Sequence, residues 1–207
     1  MKPLALLGAS GHGRVVADAA LLAGWASVHF FDDAWPMRAS AGPWSVIGTT
    51  VELVHARADY AGAVVAIGHG ATRLRKQQEL SAAGIPATSV VHPSATISPF
   101  AEIGAGSVIC AGAVIGAFAR LGVGCIVNTG ASVDHDCELG DGVHVCPGAR
   151  LGGGVRVGAL GWVGIGASVI QSLSIGAGTI VGAGAVVIGD LAAGLTVVGV
   201  PARPIRC

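Results

Sequence analysis

The sequence predicts a small α/β domain of βαβαβ order with a parallel, Rossmann-like sheet, followed by an all-β parallel β-helix. Three observations predict it. Over residues 97–187 an aliphatic side chain stands at every sixth position without a miss, with Ile97, Ile103, Ile109 and Ile115 opening the series and Val181 and Val187 closing it; this is the register of hexapeptide repeats. Residues 1–92 lack that beat and alternate short apolar runs with helical stretches,. Between the first apolar run and the first helical stretch stands the glycine turn Gly8-Ala9-Ser10-Gly11-His12-Gly13. The expected domains are 1–92 and 93–207.

The elements follow in order. Residues 4–7 read as a buried strand entering the glycine turn, 14–23 as a helix, and 27–31 as a second strand ending at Asp32-Asp33,. A third strand, 63–67, runs into Gly68-His69-Gly70, and 72–83 has helical character with Gly84 as its stop,. Val90-Val91-His92-Pro93 leads into the repeat. Each hexad then supplies a short strand with its aliphatic inward, and the glycine that often follows it, such as Gly104, Gly122 or Gly140, is expected to permit the turn,. Three hexads make one triangular coil, so the sixteen register positions imply about five coils at the ~4.8 Å strand spacing,.

Composition narrows the partner. The 207 residues carry 12 Lys and Arg against 12 Asp and Glu, scattered and of zero net charge, which argues against nucleic acid or an anionic membrane surface. A small molecule is the expected partner. The uncharged stretch 157–189 has the length of a membrane span, but glycines at 158, 161, 164, 166, 176, 178, 182, 184 and 189 within the hexad register point to short strands and turns,. The apolar run after Lys2 is too short for a signal peptide, so the expected location is the cytoplasm,. Five cysteines, with no CxxC pair, favour reduced thiols over a disulfide framework or zinc ribbon,. Cys125 and Cys137 fall four residues after a register aliphatic and are expected in the core,.

Two stretches depart from plain scaffold. Over 127–144 the beat continues while the residues between turn polar: Asn128-Thr129, then Asp134-His135-Asp136-Cys137, then His144. Polar turn residues are often merely solvated, but these are the only histidines of the repeat, and carboxylates flanking an imidazole orient it and raise its basicity,. No metal is expected, since a zinc site needs three convergent protein ligands and a third histidine is missing. His135 and His144 lie nine residues apart, half a coil, so they project from opposite sides of the prism and should meet only across a subunit boundary,. In the first domain, the backbone N–H groups of the glycine turn can hold phosphate oxygens at a helix N-terminus, and Asp32 and Asp33 stand where a ribose-binding acid stands in dinucleotide folds. The order GxxGxG departs from GxGxxG, which disfavours a nicotinamide enzyme,.

Together these residues resemble the NeuD/PglD-type nucleotide-sugar and sialic acid acetyltransferases, members of the left-handed β-helix hexapeptide acyltransferases. The resemblance spans nearly the whole chain. It rests on the glycine turn, Phe31-Asp32-Asp33, Ala66-Ile67-Gly68 with Arg73, Asn128-Thr129, His135-Asp136-Cys137 with His144, and the tail Val198-Gly199-Val200-Pro201-Ala202-Arg203. It implies a homotrimer, with active sites between subunits, that moves acetyl from acetyl-CoA to the amine of a nucleotide-linked sugar of the 4-amino-4,6-dideoxy type in glycan or surface-polysaccharide synthesis. His135 matches the general base and Asp136 its acidic partner, often glutamate in relatives. His144 matches a contact to the acetyl end of the cofactor, and Ile165 and Ala183 match cofactor-contacting positions in later coils. Ser10, Gly11, His12, Asp32, Asp33 and Gly68, with Arg73 and Asn128, match the substrate-binding set. At Gly68-His69-Gly70 some relatives carry Gly-Asn-Asn, a difference that bears on which nucleotide or sugar is bound. Direct attack is expected, because no serine or cysteine has an activating base beside it. O-acetylation of a sugar hydroxyl uses the same base and donor, and a nonenzymatic nucleotide-sugar-binding scaffold is the reading from another class.

Overall fold

The computed structural model describes residues 2–205, so Cys207, one of the five thiols, lies outside the described residues. The first domain holds β1 (Leu4–Leu7), α1 (Gly11–Leu22), β2 (Val28–Phe31), a short hairpin of β3 (Ser40–Ala41) and β4 (Trp44–Ser45), α2 (Thr50–His55), β5 (Gly62–Val65) and α3 (Gly70–Ala82). β1, β2 and β5 form a parallel sheet in the order β2-β1-β5. The chain leaves β1 to one side and returns on the other, so the carboxyl ends of β1 and β5 flank a topological switch point, where open α/β sheets leave a crevice. Leu4, Leu6 and Phe30 face α1, and Ala5, Leu7 and Phe31 face the side of Leu53, Tyr60 and Leu80.

Both long helices begin earlier than their apolar pattern indicates. α1 starts inside the glycine turn, with Ser10 extended at the N-cap, and α3 starts at Gly70 with the His69 ring accepting from the Thr72 amide. α2 is announced by a capping box, Thr49 to Glu52, in which each side chain meets the other's backbone,.

Residues from Val90 onward wind into a left-handed parallel β-helix of about 6 turns, one more than the hexad count suggests. The first rung is Val90–Val91 itself, paired with Val108–Ile109. Its face continues through Ile126–Val127, His144–Val145, Trp162–Val163 and Ile180–Val181 to Thr196–Val198, and is closed by the antiparallel Arg203–Pro204. A second face runs from Thr96–Ile97 to Val186–Val187 and a third from Glu102–Ile103 to Ser174–Ile175. In each two-residue rung the second residue points inward. These aliphatics, with small residues such as Ala113, Ala131, Cys125 and Cys137, make one continuous core. Ile97 and Ile103, at the open end, are only partly buried.

The glycines that follow the register aliphatics correct the expectation placed on them. Gly104, Gly122 and Gly140 are not in the left-handed region; a Cβ on Gly104 would stand 2.4 Å from the Gly122 carbonyl carbon of the next coil. They allow coils to approach closely. The left-handed turn falls two residues later, at Gly106, Gly124 and Gly142.

The first domain sits on the first face. Val90, Val108, Cys110 and Ile126 belong to the same cluster as Leu4, Val16, Ala17, Ala20 and Phe30. Each large aliphatic buried in such a seam contributes about 1.5–3 kcal/mol. The outward side of the upper rungs, which would otherwise meet solvent, is therefore core.

Candidate active site

The crevice at the switch point has a volume of about 370 Å³, lined by Gly8, Ser10, Asp32, Asp33, Gly68 and Thr72 with a basic rim of Arg38, Arg75 and Lys76. Gly8 has φ +115°, and a Cβ on Gly13 would stand 2.1 Å from the Gly8 carbonyl oxygen, so the strand-to-helix turn is closed by glycine of necessity,. The Ser10 side chain makes no cap hydrogen bond, and no acidic residue stands in the first turn of α1. The exposed Ser10-Gly11 corner thus offers a hydroxyl and free helix N-terminal amides to an anion,. The two aspartates are already engaged. Asp32 accepts from the Ala9 amide at 2.8 Å and from the Ala34 amide at 2.9 Å, and pairs with Arg38 at 3.0 Å, so it braces the glycine turn. Asp33, half exposed, accepts from Thr50 and pairs with Lys76 at 2.7 Å. Burial would raise its carboxyl, but the Lys76 and Thr50 hydrogen bonds outweigh this and hold it below the usual carboxylate range.

Arg73 corrects the substrate-contact role implied for it. It is fully buried, and its guanidinium donates from Nε to Gly124 O at 2.7 Å, from one terminal nitrogen to Ile67 O and Gly68 O at 2.7 Å each, and from the other to Gly142 O at 2.8 Å. It presents no exposed surface. Burial lowers its pKa to about 10, which leaves it cationic at neutral pH. It ties the Gly68 loop to two corners of the β-helix.

Beside it, where α1 of the first domain meets the β-helix, lie His12 and His144, ring centroids 6.3 Å apart. His144, 6% exposed, meets the Trp162 indole edge-on at 4.4 Å on the next rung. Asn128 Oδ1 accepts from the Thr129 amide at 2.8 Å, which turns Asn128 Nδ2 towards His144 Nε2 at 3.1 Å. Assigned from this network, Nε2 accepts and the ring proton sits on Nδ1. His144 Nδ1 and His12 Nε2 are buried with no hydrogen-bond partner among the described residues.

Burial, then the His12 and Arg73 charges, push His144 down to about 3; burial, then Arg73, push His12 down to about 4. Unfolded histidine titrates near 6.5, so on acidification the unfolded chain takes up these protons first,. Folding is unpenalised by them above pH 6.5 and loses stability as the pH falls towards 4,. The melting temperature of the native protein should therefore fall as the pH is lowered through that window, from 6.5 towards 4,. The fall should be smaller when His12 and His144 are both replaced by asparagine; an unchanged fall in that variant would place the acid lability elsewhere.

His135 lies on the corner between the second and third faces, away from His144. Its side chain is 61% exposed, and Nδ1 lies 2.7 Å from Asp136 Oδ2. The Asp134 carboxylate accepts from the His135 amide at 2.8 Å. The Asp136 hydrogen bond, helped by the Asp134 and Asp136 charges, raises the imidazole pKa. Asp136 has φ +57°, at a corner position where the neighbouring coils carry Gly154 or the strained Phe118 and Ser172. Aspartate tolerates this region better than most residues. The backbone strain is retained where it sets a carboxylate against the imidazole. With Nδ1–H given to Asp136, the Nε2 lone pair is left as the basic atom.

Ile165 and Ala183 are exposed and stacked on successive coils, the Gly184 amide donating to Ile165 O at 2.8 Å. They lie on the corner between the first and second faces, on the same edge as Asn128 and Thr129. Both are apolar, and Ile165 is 60% exposed, so this edge presents an apolar strip along the coil axis. The thiols near the site are not nucleophiles: Cys137 is buried and donates to Gly152 O at 3.2 Å, and burial raises its pKa. Burial also pushes Cys146 up to about 12.

The structure brings Ser10, Asp32, Asp33 and Gly68 to one crevice with Gly11 next to Ser10 at the start of α1, brings His12, Arg73, Asn128 and His144 to the domain seam, and leaves His135-Asp136 on a separate corner. The basic rim of Arg38, Arg75 and Lys76 was not foreseen. Lys76 was findable, because it shares the α3 register with the buried Arg73; Arg38 lies in a segment with no periodic signal.

A family profile described as the PglD N-terminal domain matches residues 3–80. The chain is 41% identical to the acetyltransferase domain of PglB from Neisseria gonorrhoeae, over 99% of this chain and 100% of that one, with a TM-score of 0.94; that domain has also been solved with acetyl coenzyme A. It is 37% identical, over 100% of this chain and 98% of the other, with a TM-score of 0.95, to a histidine-to-alanine variant of GDP-perosamine N-acetyltransferase from Caulobacter crescentus in complex with CoA and GDP-perosamine. WeeI from Acinetobacter baumannii matches at 29% identity over 99% of this chain and 100% of its own, with a TM-score of 0.90. No curated protein sequence matches the chain. With whole-chain identity of this order, a shared β-helix and a matching N-terminal domain, the chain belongs to the NeuD/PglD-type sugar acetyltransferases of the left-handed β-helix acyltransferase class.

Proposed function

We propose that the protein transfers acetyl from acetyl-CoA to the amino group of a nucleotide-linked amino sugar of the 4-amino-4,6-dideoxy type, by direct attack with His135 as general base. The observation that carries this reading is the His135-Asp136 pair at 2.7 Å on an exposed corner, with no buried thiol able to compete as nucleophile. The two relatives held with CoA or acetyl-CoA, one of them with an amino sugar on a nucleotide, support the donor and the acceptor class.

In this reading residues 1–92 bind the nucleotide-sugar. Its diphosphate meets the Ser10-Gly11 amides and the Arg38, Arg75 and Lys76 rim, where donors and positive charge suit a nucleoside diphosphate,. Residues 93–207 supply the base and the acetyl-CoA contacts along Ile165 and Ala183. His135 Nε2 takes the proton of the amine as nitrogen adds to the thioester carbonyl; collapse expels the CoA thiolate, and the acetamide forms. A trimer in which His135 of one subunit faces the His144 and Asn128 side of its neighbour completes the site, because within one chain the two histidines stand on different sides of the prism. The cytoplasm is the proposed location. None of the described helices is long and apolar enough to cross a membrane.

The deciding experiment offers acetyl-CoA with UDP-, GDP-, dTDP- and CMP-linked sugars, amino and hydroxyl acceptors alike, and follows free CoA. Release with an amino sugar only supports the proposal; release with hydroxyl acceptors only replaces it by O-acetylation; no release with any acceptor leaves a binding scaffold. A second test concerns the carboxylate. Asp136 stabilises the imidazolium, so Asp136→Asn should lower the His135 pKa and move the acid limb of kcat/KM to lower pH. A limb that stays in place separates Asp136 from the base.

A further inference from the structure

The corner that carries His135 is stacked on the corner of the next coil, Gly152-Gly153-Gly154, whose Gly154 amide donates to His135 O at 2.8 Å. A Cβ built on Gly153 would lie 2.4 Å from His135 Nε2, 2.5 Å from Cε1 and 3.0 Å from Cδ2, and no other atom is nearer. Carbon atoms in contact stand about 3.5–4.0 Å apart, so a side chain at 153 and the present ring position exclude each other. The ring is mostly exposed, yet Gly153 beneath it is buried. The imidazole thus lies flat across the backbone of the next coil. Gly153 is outside the left-handed region, so its lack of a side chain is not explained by its backbone conformation. At the same corner two coils on, Gly189 has nothing within 4 Å of a built Cβ.

We propose that Gly153 is the positioning residue for the base: its bare backbone is the floor on which the His135 imidazole rests, and with Asp136 it fixes where Nε2 stands. This rests on the reading of His135 as general base. An exposed imidazole held only through Nδ1 keeps torsional freedom about that hydrogen bond. Contact with a flat glycine surface below removes it. A methyl group at 153 would lift the ring by about 1 Å before ordinary contact is restored, and displacements of that size cost about 10²-fold in rate.

The test is a double-mutant cycle of Gly153→Ala with His135→Ala, with Gly189→Ala as a control on the same corner. Gly153→Ala should lower kcat by about 10²-fold while KM for both substrates changes less than about twofold, and Gly189→Ala should leave kcat unchanged. In the His135→Ala background, where no ring remains to be lifted, adding Gly153→Ala should change kcat by less than about twofold and leave the melting temperature unchanged. The proposal is overturned if Gly153→Ala turns over at the native rate, if it lowers kcat equally with and without the imidazole, or if it unfolds the protein in both backgrounds. Should it unfold only the chain that retains His135, the clash itself is demonstrated. Near-native turnover by His135→Ala alone instead removes His135 as the base, so the two readings fail by different results.

Discussion

Replacing His135 by asparagine is expected to lower turnover by about 10²-fold or more, the usual contribution of a positioned general base. The melting temperature should stay near that of the native chain, because the side chain is 61% exposed and its one side-chain partner is the equally exposed Asp136. Asparagine keeps a polar side chain on the corner and cannot take up a proton at neutral pH. Binding of acetyl-CoA, measured calorimetrically, should change little, since His135 is proposed to act on the acceptor amine while Ile165 and Ala183 contact the cofactor. A variant that releases CoA at close to the native rate with an amino-sugar acceptor would remove the base from this position. The candidates left would be few, for His12 and His144 are buried with pKa values near 4 and 3.

The largest loss of stability is expected at Arg73. Arg73→Leu keeps an apolar stem but strips four backbone carbonyls, those of Ile67, Gly68, Gly124 and Gly142, of their charged donor. An abandoned buried acceptor costs about 1–3 kcal/mol, so a loss of about 3 kcal/mol or more is expected. Arg73→Lys should recover only part of it, because a single ammonium cannot span donors that diverge to both domains. Thermal or denaturant unfolding checks this, and limited proteolysis of the connection just before the first rung at Val90 checks whether the domains have come apart. If Arg73→Leu melts with the native chain, the four bonds do not hold the seam. Nucleotide-sugar affinity should fall only as far as the Gly68 loop loosens, since no part of Arg73 is exposed to a ligand.

The hexad register was legible because each coil repeats the same local demand: one inward aliphatic per rung, a small residue opposite, a backbone that turns every six residues. A periodic constraint of that kind is written in the chain at every repeat. The glycine turn and the alternation of the first 92 residues were legible for a related reason, each element carrying its own boundary. The His135-Asp136 pair was visible because it interrupts the pattern, and its hydrogen bond forms between adjacent residues. By contrast, the two glycine functions within each corner, close approach and left-handed turn, were merged in the sequence reading. Composition gives glycine at both places, and only the distance to the next coil separates them.

What the sequence determined by itself was the class of each element and the chemistry of the corner, since both depend on residues near one another in the chain. The tertiary structure alone decided which outward face of the prism is covered. Docking of the first domain on the face of Val108, Ile126 and His144 turned a strand histidine into a buried, neutral one and a supposed ligand arginine into a strut between domains. It also set Asp32 to bracing the glycine turn. The physical reason is that burial and hydrogen-bond partners are set by surfaces brought together from residues 12, 73, 124 and 144, and no local pattern records which surface will be the one desolvated.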